Sequence, residues 1–132
     1  MARLNVSYTT APDLEAIALL AERALESIPP VLRRHVAGVH IAVEELADDA
    51  TLAELGIENA WELSGLYSGT PLPHRDSGAV APAPDRISLY RQPILLEWIE
   101  EGEDLYRLVR NVLIHEIAHH FGFSEAEIEA LE

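Results

Sequence analysis

Near its carboxyl end the sequence places two histidines four residues apart, in the stretch HEIAH at 115–119. Four residues turn an α-helix by ~400°, so the rings of His115 and His119 lie one above the other and can bind one cation. Glu116 lies ~100° around the helix from His115, close enough to reach a water on that cation without binding the cation itself. The spacing predicts a zinc site with Glu116 as the general base.

A third protein ligand is expected, because a catalytic zinc ion usually takes three and keeps a fourth position for water. The sequence contains no cysteine, so histidine, aspartate or glutamate must supply it. The extended pattern HExxHxxGxxE parallels the metzincin layout HExxHxxGxxH, with Gly122 at the turn and Glu125 in the last position. We predict Glu125 as the third ligand, with Glu129, one helical turn later, as the alternative. His120 points ~140° away from His115 and is expected either to support the metal ligands without binding the metal or to be structural.

Other interpretations of these residues stay open. The two histidines could instead donate hydrogen bonds inside a core, with Glu116 as a surface acid. Four further side chains are weak candidates for stabilising an oxyanion, and each is more simply explained as structural: Tyr67, His74, Tyr90 and Arg91. The proline-rich stretch at 70–85 is interpreted as a surface loop, and a flap over the site is the alternative.

Composition limits the class of protein. The 132 residues can enclose one core, so we expect a single domain over residues 1–132. The formal net charge is −14, and such a surface disfavours nucleic acid and membrane partners because it repels phosphates and anionic lipids. The absence of cysteine excludes disulfides, iron–sulfur clusters and a cysteine nucleophile. No signal-peptide core and no run of ~20 apolar residues is found, so we expect a cytoplasmic protein.

Two long helices are predicted from apolar residues at helical spacing. The first covers residues 10–28, where Thr10 and Asp13 resemble a capping box and two prolines stop the helix. The second runs from about residue 103 to 121 and carries the HExxH motif. Ser124 then resembles the cap of one last short helix.

Three short strands are predicted from β-branched and alternating residues, at 39–46, 61–69 and 86–91. The last two are expected to pair as a wide hairpin. The overall prediction is an α+β fold with a small, mostly antiparallel three-stranded sheet packed with helices. Trp61 and Trp98 are expected in the core.

Three stretches carry a family resemblance: LSGLYSGTPLPHR, DRISLYRQPIL and VLIHEIAHHFGFSEAEIEALE. Together they resemble a family of small bacterial zincin-like metallopeptidases, over nearly the whole chain. The resemblance implies Zn²⁺ bound by His115, His119 and Glu125, with Glu116 as the catalytic base. The sequence departs from true metzincins in two ways. No methionine follows the motif to form a Met-turn, and a carboxylate replaces the third histidine.

These features predict a zinc-dependent metallopeptidase that hydrolyses a peptide or protein substrate through a zinc-bound water. An edge strand, either 39–46 or one strand of the hairpin, is expected to hold the substrate in extended form. The alternative is a metal-binding or protein-interaction module that is non-catalytic or needs a partner to complete its cleft. A small domain has little surface with which to form a substrate-binding cleft.

Overall fold

The structure is a computed structural model that describes residues 9–69 and 85–132. Helix α1 (Leu14–Ser27) begins after Asp13, whose side chain accepts a hydrogen bond from the Ala16 backbone amide at 2.8 Å. The expected capping box at Thr10 is therefore wrong, and Asp13 is the cap itself. Of the two prolines that end α1, the second opens the short helix α2 (Pro30–Arg33), because proline is well tolerated in a first helical turn.

The sheet contains three strands, β1 (His40–Glu44), β2 (Gly65–Ser68) and β3 (Arg86–Tyr90), in the order β1-β3-β2. β2 and β3 pair antiparallel, as the predicted hairpin requires. β1 pairs parallel with β3, with Ile41 opposite Ile87, so the sheet is mixed and the expectation of a mostly antiparallel sheet is wrong. The alternation of residues within a strand sets which face is buried, but it carries no information about the direction of the neighbouring strand.

The segments around the strands are helical. Helix α3 (Asp49–Leu55) follows β1, and a 3-10 turn (Ala60–Glu62) occupies the first part of the stretch predicted as the second strand. Helix α4 (Arg91–Glu101) starts directly after β3, which puts Pro93 in its first turn, where no intrahelical amide is needed. The mixed α+β architecture agrees with the predicted fold class.

Helices α5 (Leu105–His120) and α6 (Glu125–Leu131) complete the described chain. α5 packs against α1, α4, α6 and β2, so the helix with the HExxH motif runs through the centre of the molecule. The largest side chains that are fully buried come from α1, α2, α4, α5, α6 and β3: Ile17, Leu32, Ile87, Leu89, Ile94, Val109, Leu113, Ile114, Ile117 and Ile128. Burying each of these contributes ~1.5–3 kcal/mol, which holds α5 in place at the site.

The two tryptophans behave differently. Trp98 packs, partly buried, against the main core, whereas Trp61 in the 3-10 turn is 45% exposed, so its expected place in the core is wrong. Within residues 9–69 and 85–132, no helix combines the length and the apolar character needed to cross a membrane. The predictions for His74 and for the proline-rich loop concern residues outside the described ones, apart from Asp85 at its end.

Candidate metal centre

The site begins where α5 ends. Gly122 adopts a left-handed φ of 81°, the amide of Phe123 donates to the Ala118 carbonyl at 2.9 Å, and the amide of Gly122 donates to the His119 carbonyl at 3.1 Å. This pair of bonds is a Schellman motif, which ends a helix and reverses the chain within a few residues. The predicted role of Gly122 as the turn is consistent with this geometry.

Helix α6 is fixed directly after this turn. Ser124 and Glu127 form a reciprocal capping box, with the Glu127 amide donating to the Ser124 hydroxyl and the Ser124 amide donating to the Glu127 carboxylate. Ile128, which has no exposed surface, anchors the helix in the core. Glu125 is the first residue of α6, and the turn brings it back beneath the last turn of α5.

The candidate ligand atoms of His115, His119 and Glu125 lie within 4.8 Å of one another. Nε2 of His119 lies 2.5 Å from Oε1 of Glu125, and Nε2 of His115 lies 3.7 Å from Oε2 of the same carboxylate. The two imidazole rings are 4.7 Å apart between centroids and meet edge to face at 78°. Two imidazole nitrogens and one carboxylate oxygen converging in this way match the donor set that zinc prefers.

Glu116 lies against β2 rather than among these three residues. A Cβ atom placed on Gly65 would lie 3.3 Å from Cγ of Glu116 and 2.9 Å from Cγ1 of Val112, so the glycine permits the close approach of β2 and α5. Burial raises the pKa of Glu116 above its ordinary value, and the charges of His119 and His115 and a hydrogen bond from the Tyr67 backbone amide act in the opposite direction. Glu116 is therefore not the surface acid of the open interpretation.

His120 faces away from the candidate metal ligands and packs on aromatic rings. Its ring stacks on Tyr67 at 3.9 Å between centroids, and Phe121 stacks on His35 at 4.5 Å on the same side of α5. The Tyr67 hydroxyl donates to Asp85 at 2.6 Å. These contacts fit the structural role predicted for His120, and they fasten the strand β2 to the end of α5.

The other candidates are placed elsewhere. Glu129 is exposed and does not belong to the group of possible metal ligands, which consists of His115, His119 and Glu125. Tyr90 is buried with Ala47 and Leu52 in a second, smaller core cluster. Arg91 donates to the Pro12 carbonyl at 2.6 Å and to the Glu45 carboxylate at 2.9 Å. These bonds link distant segments of the chain, so a structural role explains Arg91.

Two residues at the site were not singled out from the sequence. The first is Glu132, whose carboxylate lies 3.0 Å from Nδ1 of His115. The available signal was its spacing, because residues 125 and 132 lie two turns apart and share one side of a helix. Gly65 is the second, and nothing in the local sequence indicates that a distant helix passes over it.

Comparison with known proteins agrees with this geometry. The family model of zincin-like metallopeptidases matches residues 36–132, which is more than half of the chain. A solved structure, a conserved hypothetical protein from Thermus thermophilus, is similar to this chain with 30% identity and a TM-score of 0.51. The match covers 83% of this chain and 94% of that protein. No curated protein sequence matches the chain. The family model and the structural likeness together confirm the resemblance seen in the sequence, and the chain belongs to the zincin-like metallopeptidase family.

Proposed function

We propose that the protein is a zinc-dependent metallopeptidase, with His115, His119 and Glu125 holding the zinc ion and Glu116 acting as the general base. The observation that carries the proposal is the convergence of the three ligand atoms within 4.8 Å, beside the partly buried carboxylate of Glu116. When bound, a zinc ion would supply Lewis-acid chemistry that lowers the pKa of water to ~7 and polarises the scissile carbonyl. Family membership supports this assignment but names no substrate.

Glu116 is suited to proton transfer because of its surroundings. A general base works best with a pKa near the operating pH, and burial moves the pKa of this carboxyl upward from its ordinary value. Glu116 takes a proton from the attacking water, whose oxygen bonds to the carbonyl carbon of the peptide. The same proton passes from Glu116 to the amine nitrogen as the carbon–nitrogen bond breaks. The Tyr67 amide fixes the carboxylate in the position that both transfers require.

The side of β2 that faces away from β3 is the proposed place for the substrate. The Tyr90 amide donates to the Ser64 carbonyl at 2.9 Å, and because peptide groups alternate in direction along a strand, those of Gly65 and Tyr67 point away from β3. The Tyr67 amide donates to Glu116, and we propose that an extended peptide pairs with the backbone of Gly65 on this edge. Of the two edges considered from the sequence, β2 is the one that packs on α5 beside Glu116, and it is therefore favoured over β1.

The test compares the wild-type protein with Glu116→Gln at saturating zinc, using a broad peptide library and native mass spectrometry. We expect Glu116→Gln to keep one zinc ion and to lose turnover by ~10²–10⁴-fold. Glu54→Gln is the matched control, since Glu54 is an exposed acid on α3. Zinc binding with no turnover in the wild-type protein would favour the metal-binding module instead, and a wild-type protein that binds no zinc would refute the proposal.

A further inference from the structure

The two ring nitrogens of His115 face two different acids. Nε2 lies on the side of Glu125, at 3.7 Å from Oε2, which is beyond hydrogen-bond distance. Nδ1 lies 3.0 Å from Oε1 of Glu132, which is within it. The carboxylate of Glu132 is about one-third exposed, so this contact forms at the rim of the site rather than in the core.

The contact with Glu132 determines where the imidazole proton lies. A carboxylate can only accept a hydrogen bond, so the nitrogen of His115 that faces Glu132 must be the one that carries hydrogen. A neutral imidazole has one N–H, and its other nitrogen then presents a lone pair. Nε2 is that nitrogen, and it is the atom directed at the candidate metal position.

We propose that Glu132 is a positioning residue that holds His115 in the Nδ1–H tautomer and thereby prepares Nε2 to bind the metal. This inference rests on the proposed zinc site. Histidine ligands that donate their second N–H to a carboxylate are fixed in orientation and are more basic toward the metal. Glu132 does not itself contact the metal position.

The geometry of α6 explains why Glu132, and not Glu129, takes this role. Glu132 is the residue directly after α6. Counted on from Glu125 at ~100° per residue, it falls about 20° from the same side of the helix, whereas residue 129 is offset by about 40° in the opposite direction. The fully buried Ile128 and the capping box at Ser124 fix the rotation of the helix about its axis. The two acids therefore reach the two edges of one imidazole, while Glu129 remains exposed.

The experiment compares the full chain with Glu132→Ala, Glu132→Gln and Glu129→Ala. Zinc affinity is measured by competition with a chromophoric chelator. We expect Glu132→Ala to bind zinc ~10–100-fold more weakly, the usual effect of removing such a partner. Glu132→Gln keeps a carbonyl oxygen that can accept from Nδ1–H, so it should recover part of the loss. Glu129→Ala removes the same charge three residues earlier, from α6, and should bind zinc as the wild type does.

A second readout needs no metal. Nitrogen chemical shifts of the His115 ring are recorded in the zinc-free protein by NMR at a pH where the ring is neutral. The wild type should show the Nδ1–H tautomer, and Glu132→Ala should shift the population toward Nε2–H. Unchanged zinc affinity in Glu132→Ala, or a loss without any change in tautomer, would overturn the inference. A wild-type protein that fails to bind zinc would instead refute the zinc site itself, before any variant of Glu132 is compared.

Discussion

The contact between Gly65 and α5 leads to the sharpest test of how the fold positions the general base. A methyl group added by Gly65→Ala would lie 2.9 Å from Cγ1 of Val112 and 3.3 Å from both Cγ of Glu116 and the Ser88 carbonyl. Inserting a methyl group into a packed site of this kind costs ~1–3 kcal/mol. The shortest of the three contacts is with Val112, so most of the cost should arise there.

The double substitution Gly65→Ala with Val112→Ala separates overpacking from other causes. Val112→Ala removes the Cγ1 atom and should itself destabilise the protein by ~1 kcal/mol, because Val112 is only partly buried. In that background the added methyl group meets only the two contacts at 3.3 Å, which need shifts of a few tenths of an ångström. We expect Gly65→Ala to cost less than ~1 kcal/mol there, and the difference from its cost in the wild type is a favourable coupling between the two positions.

The assay is urea unfolding of the four proteins at equilibrium, with peptide turnover and zinc affinity measured on the same samples. Turnover of Gly65→Ala should fall by ~10–100-fold, because β2 or Glu116 must move to admit the methyl group. Turnover should partly recover in the double variant, while zinc affinity stays near that of the wild type because the ligands do not contact Gly65. Strictly additive free energies of unfolding would refute the reasoning, since they would mean that the methyl group and Val112 do not compete for the same space.

Three further outcomes are expected. Gly122→Ala should lower the free energy of unfolding by ~1–2 kcal/mol, because φ is 81°, a conformation that alanine rarely adopts. Nothing lies within 4 Å of the added Cβ, so the backbone conformation alone causes the loss, and Gly122→Asn should lose less. Equal stabilities of the variants and the wild type in urea would contradict this. Burial, and then the charges of neighbouring acids, raises the pKa of Glu97 in the folded protein. The folded state therefore loses stability as pH rises from the pKa of Glu97 in the unfolded chain to its higher pKa in the folded protein. Glu97→Gln should therefore raise the urea midpoint at pH 7 and not at pH 3, and a gain at both would contradict the assignment. With free zinc at one hundred times its dissociation constant, the wild-type protein should be more stable than the chelator-treated protein by ~2.7 kcal/mol in thermal melts. His119→Ala should show no such difference between the two conditions.

The parts of the molecule that could be predicted from the sequence are those encoded by neighbouring residues. The course of α5, the turn at Gly122 and the cap at Ser124 each depend on contacts within about six residues, and the structure has all three. The family resemblance rests on the same segment and is confirmed by the matching family model. The assignment of metal ligands and base stays a prediction, which the convergence of the side chains supports.

The errors have different causes, and the error in sheet topology arises where distant segments meet. The parallel pairing of β1 with β3 depends on how the chain crosses over between residues 45 and 85, and strand patterns do not encode that path. Asp13 caps α1 in place of Thr10 because both are good capping residues and the start of the helix decides between them. Trp61 was placed in the core on its hydrophobicity alone, although large apolar residues in surface turns can stay partly exposed, as Trp61 does at 45%.

This division between local and distant contacts has a consequence for how the site can fail. The proposed metal ligands come from one segment, residues 115–125, whereas the general base depends on β2, some fifty residues earlier in the chain. Changes in the turn or in α6 that displace Glu125 should therefore reduce metal affinity and turnover together. Changes in β2 should reduce turnover and leave metal affinity near its original value. A β2 variant such as Gly65→Ala could lose zinc affinity by as large a factor as it loses turnover. That result would show that the two parts are not independent and that the strand also holds the metal ligands in place.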